Sequence, residues 1–311
     1  MTPLGNWETI PSMRFLLSRT DALGDLVISL PVMERILSRQ PEVEVHWLVQ
    51  PNTAPILKAL AGVAGVHLRE PGQELEKLMA RLAPEAVLNL SHRDGAVISA
   101  AKEVGVPIRV ARSRGRQIWE ATHVLWQGRY GTGRHESQNV LDFLKPWHWE
   151  GGVPAYPQLV LSAEERSQGL PPDSRPTLGL ILQGSGAGAF PSLRWWETTI
   201  PVLERAGWNP VILSPPEASP LAPTDLRGLM ARLSSCRAAL GPSTGPLHLA
   251  SALGIPVLCL MGLRVHHGPD RWAPLGPRVQ ILQYPGPEAD LSGGMDRLDP
   301  LSLLPHLDRL K

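Results

Sequence analysis

The chain has 311 residues, 43% of them hydrophobic, and its 30 Lys and Arg nearly balance 29 Asp and Glu, for a formal net charge of +1. This length suits two domains with extensive cores, and the charge balance excludes a general electrostatic footprint for nucleic acid, a local basic cleft aside. Only Cys236 and Cys259 are present, too few for a disulfide framework, and their apolar surroundings predict buried thiols.

MTPLGNWETIPS at 1–12 lacks an apolar signal core and reads as an extension before the first strand. No run of about 20 apolar residues predicts a membrane span. A cytoplasmic location is expected, and a membrane-bound substrate is compatible with it. Gly and Pro, 29 and 32 residues, cluster at element boundaries and predict tight loops.

Arg14–Arg19 contains the apolar run Phe15-Leu16-Leu17 and predicts a buried strand. Thr20-Asp21-Ala22-Leu23-Gly24-Asp25 then leads into a helical pattern over Leu26–Ser38, with Pro31 as a kink or a later start. Strands are predicted at Glu42–Val49, Val63–Leu68, Glu85–Leu90 and Val106–Ala111, and helices at Thr53–Leu60, Glu74–Leu82 and Ala96–Val104. Such alternation predicts an α/β fold with a mainly parallel sheet covered on both faces. Residues 112–135 break the rhythm with several arginines and with Trp119, Trp126 and Tyr130. The stretch reads either as a solvated segment with one docked aromatic or as a flap meeting an anionic acceptor. Glu136–Leu144 looks helical, and Lys145–Tyr156 begins an interdomain linker.

A second α/β series starts at Thr177–Leu182, behind Pro171, Pro172 and Pro176, which suggests a boundary near 165–176. Its predicted elements are helix Arg194–Ala206, strand Pro210–Leu213, helix Leu226–Leu233 capped by Thr224, and strand Ala238–Leu240. Strands Val257–Leu260 and Val279–Leu282 follow, and Pro300–Leu310 forms an amphipathic last helix. Between two strands lies GPSTGPLHLASALG at 241–254. A Gly/Ser/Thr turn opening a small-residue helix leaves backbone N–H groups and a helix dipole that suit a phosphate. Ser243 and Thr244 add hydroxyls, and His248 can share a face with Thr244. A purely structural turn is the alternative.

Other motifs fail. GSGAG at 184–188 lacks the dinucleotide-loop arrangement and the nucleophile-elbow frame, and no P-loop is present. His266 and His267 with Asp270 and His248 do not form a convincing metal site.

Two segments carry a family resemblance. FLLSRTDALGDLVISLPVMERI at 15–36 resembles the N-terminal signature of the bacterial ADP-heptose:lipopolysaccharide heptosyltransferases, glycosyltransferase family 9, and GPSTGPLHLASALGIPVLCLMG at 241–262 resembles their C-terminal signature. RWWETTIPVL at 194–203 and GPDRWAPLG at 268–276 agree as well. The resemblance spans essentially the whole chain. It implies a GT-B fold, two Rossmann-like domains facing across a cleft. The expected division is an acceptor-side domain over 1–168, a nucleotide-sugar-binding domain over 169–295, and a helix over 296–311 packing back toward the first domain.

It further implies inversion at the anomeric carbon without a metal or other cofactor. The implied donor is ADP-heptose-like and the acceptor a glycan or lipid-linked glycan, which would allow peripheral membrane contact at the inner face. Asp25 matches the catalytic aspartate and would take the acceptor hydroxyl's proton; capping its own helix is its plainer role. Asp21 is the runner-up base and, with Arg93, falls on the acceptor side. Thr244, Gly245 and His248 match the donor-binding TGxxH segment, expected to neutralise and orient the diphosphate, with Ser243, Ser185 and Gln183 beside it. Arg194 would supply a cation. Glu217 reads as a ribose or base contact or as a solvated loop residue. This chain has Ser243 where many relatives have Asp, Leu193 where many have Lys, and Gln183 where His is common, departures that bear on sugar specificity. A non-catalytic nucleotide-sugar-binding protein or a sugar epimerase of the same fold are the other readings.

Overall fold

The computed structural model describes residues 13–127, 133–183, 190–219, 222, 225–262, 268–284 and 294–310. Two compact units divide the chain: Met1–Arg129 with Glu136–Ala155, and Tyr130–His135 with Tyr156–Lys311. Each is a parallel sheet with helical crossovers, the Rossmann-like plan expected of a GT-B fold.

The first unit has strands β1 (Arg14–Arg19), β2 (Glu44–Val49), β3 (Val63–Leu68), β4 (Ala86–Asn89), β5 (Ile108–Arg112) and β6 (His123–Leu125), in the order β3-β2-β1-β4-β5-β6. Every neighbouring pair is parallel. Its helices are α1 (Leu23–Arg39), α2 (Leu75–Leu82), α3 (Ala96–Glu103), α4 (Gln117–Glu120) and α5 (Glu136–Leu141). β1 is flanked on both sides, so Phe15, Leu16 and Leu17 are fully buried. The ring of Phe15 meets Trp147, 5.0 Å between centroids.

Helix α1 runs through Pro31 and starts at Leu23, earlier than the apolar pattern suggests, which puts Asp25 in its first turn. A carboxylate there complements the helix dipole. Within 112–135, where sequence patterning gives a loop or lobe, the structure has α4 and the edge strand β6. Three residues are too short for a recognisable alternation. Tyr130 lies outside the described residues.

The second unit has strands β7 (Thr177–Ile181), β8 (Asn209–Ser214), β9 (Ala238–Pro242), β10 (Val257–Met261) and β11 (Val279–Gln283), in the order β11-β10-β9-β7-β8, again all parallel. Its helices are α6 (Ala163–Ser167), α7 (Leu193–Arg205), α8 (Leu226–Ser234), α9 (Gly245–Ala252), α10 (Pro269–Trp272) and α11 (Leu304–Asp308). Asp225 caps α8 by accepting from Gly228 N–H at 2.8 Å; Thr224, the cap expected from sequence, lies outside the described residues.

The division between units falls at 155/156, ahead of the 168/169 expected from sequence. Leu159 donates its N–H to Ala252 O at 2.9 Å, and Leu159 and Leu161 are buried, so this segment is tied to the second unit. Leu303, Leu307 and Leu310 of the closing segment sit in the second unit's core, with Trp195, Trp196 and Trp208.

Both sheets reverse direction of growth once. In the first unit the chain moves outward from β1 through β2 and β3, then returns to lay β4 on the other side of β1. In the second it goes from β7 to β8 and returns to lay β9 against β7. At such a switch point the loops leaving the strands' carboxyl ends diverge and open a crevice, the usual ligand position in parallel α/β sheets. The switch points are β1/β4 and β7/β9.

Candidate active site

In the first unit, β1 ends at Arg19 and the chain turns through Thr20 and Asp21 into α1. The Arg19 side chain has no solvent exposure. Its Nη2 donates to Asp25 Oδ1 at 2.7 Å, its Nη1 to Leu90 O, and its Nε lies 3.6 Å from Asp21 Oδ2. One buried guanidinium thus holds two carboxylates and the end of β4. A desolvated cation demands such partners. Asp21 Oδ2 also accepts from His92 N–H at 3.1 Å. Thr20 is fastened to Ser91 and to Asp94, and Arg69 Nε donates to Asp94 Oδ2 at 2.8 Å.

The Asp25 carboxylate is partly exposed, at 22%. The residue at the N-cap of α1 is Ala22, with no side-chain cap. The hydrogen bond seen for the Asp25 carboxylate goes from Arg19 to Oδ1, which leaves Oδ2 outside that bond. Arg93 is exposed in the turn after β4. Sequence reasoning missed Arg19, whose signal was a cation closing an otherwise apolar strand. It also missed the buried Glu136, held by Arg112 Nη2 at 2.7 Å with His92 Nε2 at 3.6 Å.

In the second unit, β9 can approach β7 closely because position 241 is glycine; a Cβ there would lie 2.4 Å from Ile181 O. The strand delivers Ser243 and Thr244 to the start of α9, where Thr244 is the N-cap residue and Ser243, Thr244 and Gly245 are partly exposed. Sequence reasoning anticipates several open N–H groups here. The structure leaves fewer. Pro246 has none, and Leu247 and His248 both donate to Thr244 O at 3.0 Å. Gly245 N–H has no backbone partner among the described residues.

Ser243 Oγ lies 2.7 Å from Trp272 O and 3.3 Å from His248 Nε2. A carbonyl only accepts, so the Ser243 proton goes to Trp272 and Oγ accepts from His248 Nε2–H. This fixes the tautomer and makes His248 Nδ1 a bare acceptor. Among the described residues Nδ1 is buried without a partner, and so is Thr244 Oγ1. Burial, with His135 nearby, pushes the His248 pKa down to about 3. His248 is therefore a neutral hydrogen-bonding group and has no charge with which to neutralise a diphosphate. Beneath it, burial pushes the Cys259 thiol up; both cysteines are buried and unpaired.

Gln183 is half-buried just past β7, at the same switch point. Arg194 is exposed in the first turn of α7, whose N-cap Ser192 accepts from Trp195 N–H at 3.3 Å. A cation there works against its own helix dipole, so helix stability does not explain it. Glu217 is exposed on a short 3-10 turn, Pro216–Ala218, after β8. Ser185, His266 and His267 lie outside the described residues. Among the described residues no group of three His, Cys, Asp or Glu side chains could hold a metal ion, and no helix is long and apolar enough to cross a membrane.

Residues 203–292 match the model of glycosyltransferase family 9 (heptosyltransferase). Among solved structures, the family 9 glycosyl transferase from Veillonella parvula DSM 2008 shares 14% identity at a TM-score of 0.79, over 96% of this chain and 97% of that one. The E. coli ADP-heptose lps heptosyltransferase II shares 17% at 0.78, over 96% and 98%. The E. coli heptosyltransferase WaaC, solved with ADP, shares 16% at 0.71, over 96% and 100%. At these identities the likeness is one of fold. No curated protein matches.

Proposed function

We propose that the chain is a glycosyltransferase family 9 enzyme, the family whose model residues 203–292 match, and that it is an inverting, metal-independent transferase moving a heptose from an ADP-heptose-like donor to a glycan or lipid-linked acceptor. The acceptor hydroxyl oxygen attacks the anomeric carbon from the face opposite the diphosphate. The bond from that carbon to the diphosphate oxygen breaks, and its electron pair leaves with the nucleoside diphosphate. Asp25 takes the hydroxyl proton as the new bond forms. Arg19 holds one oxygen of Asp25 and leaves the other for the acceptor. Asp21 and Arg93 stand on the acceptor side.

The donor is held at the start of α9. Thr244 Oγ1 and Gly245 N–H donate to the diphosphate, and Gln183, just past β7, adds a side-chain amide. Arg194 and the helix dipole supply the positive potential that stabilises the departing group. His248 Nδ1 is a neutral acceptor and suits a donor hydroxyl better than an anionic oxygen. Glu217 is the nucleoside contact. A cytoplasmic enzyme working at the inner face of a membrane fits this reading.

The observation that carries it is the pair of buried, unpartnered polar atoms, Thr244 Oγ1 and His248 Nδ1, at the β7/β9 switch point. An unmet buried polar atom costs roughly 1–3 kcal/mol, a cost that a ligand hydrogen-bonding there would relieve. The relative solved with ADP supports the choice of nucleotide. Calorimetric titration with ADP, UDP and GDP tests the donor site: ADP binds best, and Thr244→Val weakens it roughly ten-fold, one hydrogen bond to a charged group. Absence of binding by all three nucleotides would sink the reading. Transfer that persists in EDTA, with inversion read by proton NMR of the product anomer, tests the rest.

A further inference from the structure

We propose that the edge of the first unit built from α4 and β6 is a docking surface for the anionic face of a lipid bilayer. The sheet ends at β6. Between β5 and β6 the chain makes a short crossover, and Ser113 N–H donates to Leu125 O at 3.0 Å. The β5/β6 register, Arg112 against Leu125, sets Trp126 level with Ser113, one residue before Arg114. Trp119 follows Arg116 by one turn, its backbone N–H donating to Arg116 O at 2.9 Å.

Trp119 is 83% exposed and Trp126 76% exposed, while Trp47, Trp196 and Trp208 are among the largest fully buried side chains. A water-facing indole gains nothing from the fold's own core. Two on one sheet edge mark a surface meant to be covered. Arg114 is exposed, and the Arg116 side chain is 87% exposed. The only acid between 113 and 127 is Glu120. It is buried, accepts from Ser99 Oγ at 2.6 Å and pairs with Arg116 at 3.2 Å. The surface therefore shows tryptophan and arginine, with its carboxylate underneath.

Indole rings favour the headgroup level of a bilayer, where the apolar body is sheltered and the N–H stays wet. Arginines beside them are drawn to anionic headgroups within a Debye length. This charge complementarity favours an anionic bilayer over a second copy of the chain, whose arginines would repel. The inference goes beyond the transfer reading and is separable from it, because vesicle binding needs neither donor nor acceptor.

The test is co-sedimentation of the full chain with phosphatidylcholine vesicles, with and without phosphatidylglycerol, at low and high salt. Binding is expected to the phosphatidylglycerol vesicles alone, and to weaken with salt. Arg114→Ala and Arg116→Ala each lower partitioning about five-fold. Trp119→Ala and Trp126→Ala each lower it roughly eight-fold if an indole buries about 50 Å² of apolar surface. Arg114, Trp119 and Trp126 are exposed, so circular dichroism and Tm of those three variants stay at the wild-type values, whereas Arg116→Ala also removes the partner of the buried Glu120 and lowers Tm slightly. Failure to bind the anionic vesicles overturns the proposal, as does binding that all four variants retain. So does a soluble anionic oligosaccharide that binds, is lost in the same variants, and is not displaced by vesicles, since that assigns the surface to a glycan.

Discussion

Arg19 Nη2 lies 2.7 Å from Asp25 Oδ1, and the guanidinium that makes this contact has no solvent exposure while the carboxylate keeps 22%. The arginine is thus part of the core and the aspartate part of the surface. Because Nη1 is anchored on Leu90 O and Nε faces Asp21, the side chain cannot swing away without leaving a buried charge unmet. It acts as a fixed post against which Asp25 is aimed.

Asp25→Asn should lower kcat by roughly 10²–10⁴-fold, the range of a general base, with little change in donor KM. Arg19→Lys keeps the charge but loses the fork that reaches Asp25 and Leu90 together, and should lower kcat roughly ten-fold by letting the carboxylate rotate. In an Asp25→Asn background the same lysine should have almost no further effect, because the arginine works through the aspartate. Steady-state transfer rates of the four proteins settle it. Additive losses would show that Arg19 is structural only, and a fully active Asp25→Asn protein would remove the base itself.

Much of this arrangement was legible in the sequence, for identifiable reasons. Strands such as Thr177–Ile181 and Val257–Met261 are short, largely apolar runs closed by turn residues, so the parallel-sheet reading followed from buried faces alone. The 243–248 turn stood out because a helix start after a strand is where polar residues collect, and Asp25 because the segment at 15–36 resembles the family's N-terminal signature. Arg19 did not, because its meaning depends on Leu90 and Asp21, and only pairing of β1 with β4 brings Leu90 near it. The neutrality of His248 was equally hidden: it follows from burial and from Trp272 O, contributed by α10 some two dozen residues later. Spacing shows what residues a turn offers, but not which of them the rest of the fold has already engaged.

The buried His248 makes stability depend on pH in a definite direction. Its ordinary pKa of 6.5 is pushed down to about 3 in the folded chain. Above pH 6.5 the imidazole is neutral both folded and unfolded, and the fold loses nothing. As pH falls below 6.5 the unfolded chain takes up a proton that the folded one refuses, so stability drops by up to about 1.4 kcal/mol per pH unit until the folded group titrates. His46, His67 and His123 are lowered by burial too and add in the same sense. His248→Gln should therefore show a shallower loss between pH 6.5 and 5 than the wild type, by about 1 kcal/mol per unit, in urea titrations followed by circular dichroism. Parallel curves would mean that His248 is charged or solvated in the fold.

Gly241 is where backbone geometry limits the second half-site. The built Cβ would lie 2.4 Å from Ile181 O and 2.8 Å from Ile181 Cβ. The carbonyl belongs to β7, so it cannot rotate aside as a flexible side chain could. Gly241→Ala must push β9 away from β7 at the end that presents Ser243 and Thr244. Overpacking of this sort costs roughly 1–3 kcal/mol, and the displaced turn should also lose ADP affinity. By contrast Gly254→Ala, with nothing within 4 Å but a φ of +78°, should cost about 1 kcal/mol and leave ADP affinity alone. Equal ADP affinities for both variants and wild type would show that the β7/β9 spacing does not set the turn.

Leu307 tests which body owns the end of the chain. It is fully buried in the core that holds Trp195, Trp196, Trp208 and Met295. Asp296 adds a polar tie, its Oδ1 accepting from Ser192 N–H at 2.7 Å, and Leu298 O takes the Trp195 indole N–H at the same distance. Together these contacts fasten residues 295–310 to the start of α7, the element that carries Arg194. Leu307→Ala leaves a cavity and should cost about 2–5 kcal/mol. Because each unit has its own core, the loss should be local. Hydrogen exchange should quicken at the amides of α7 and β7 while those of β1 and β4 keep their protection. If β1 and β4 loosen equally, the loss is not local to the core that holds Leu307.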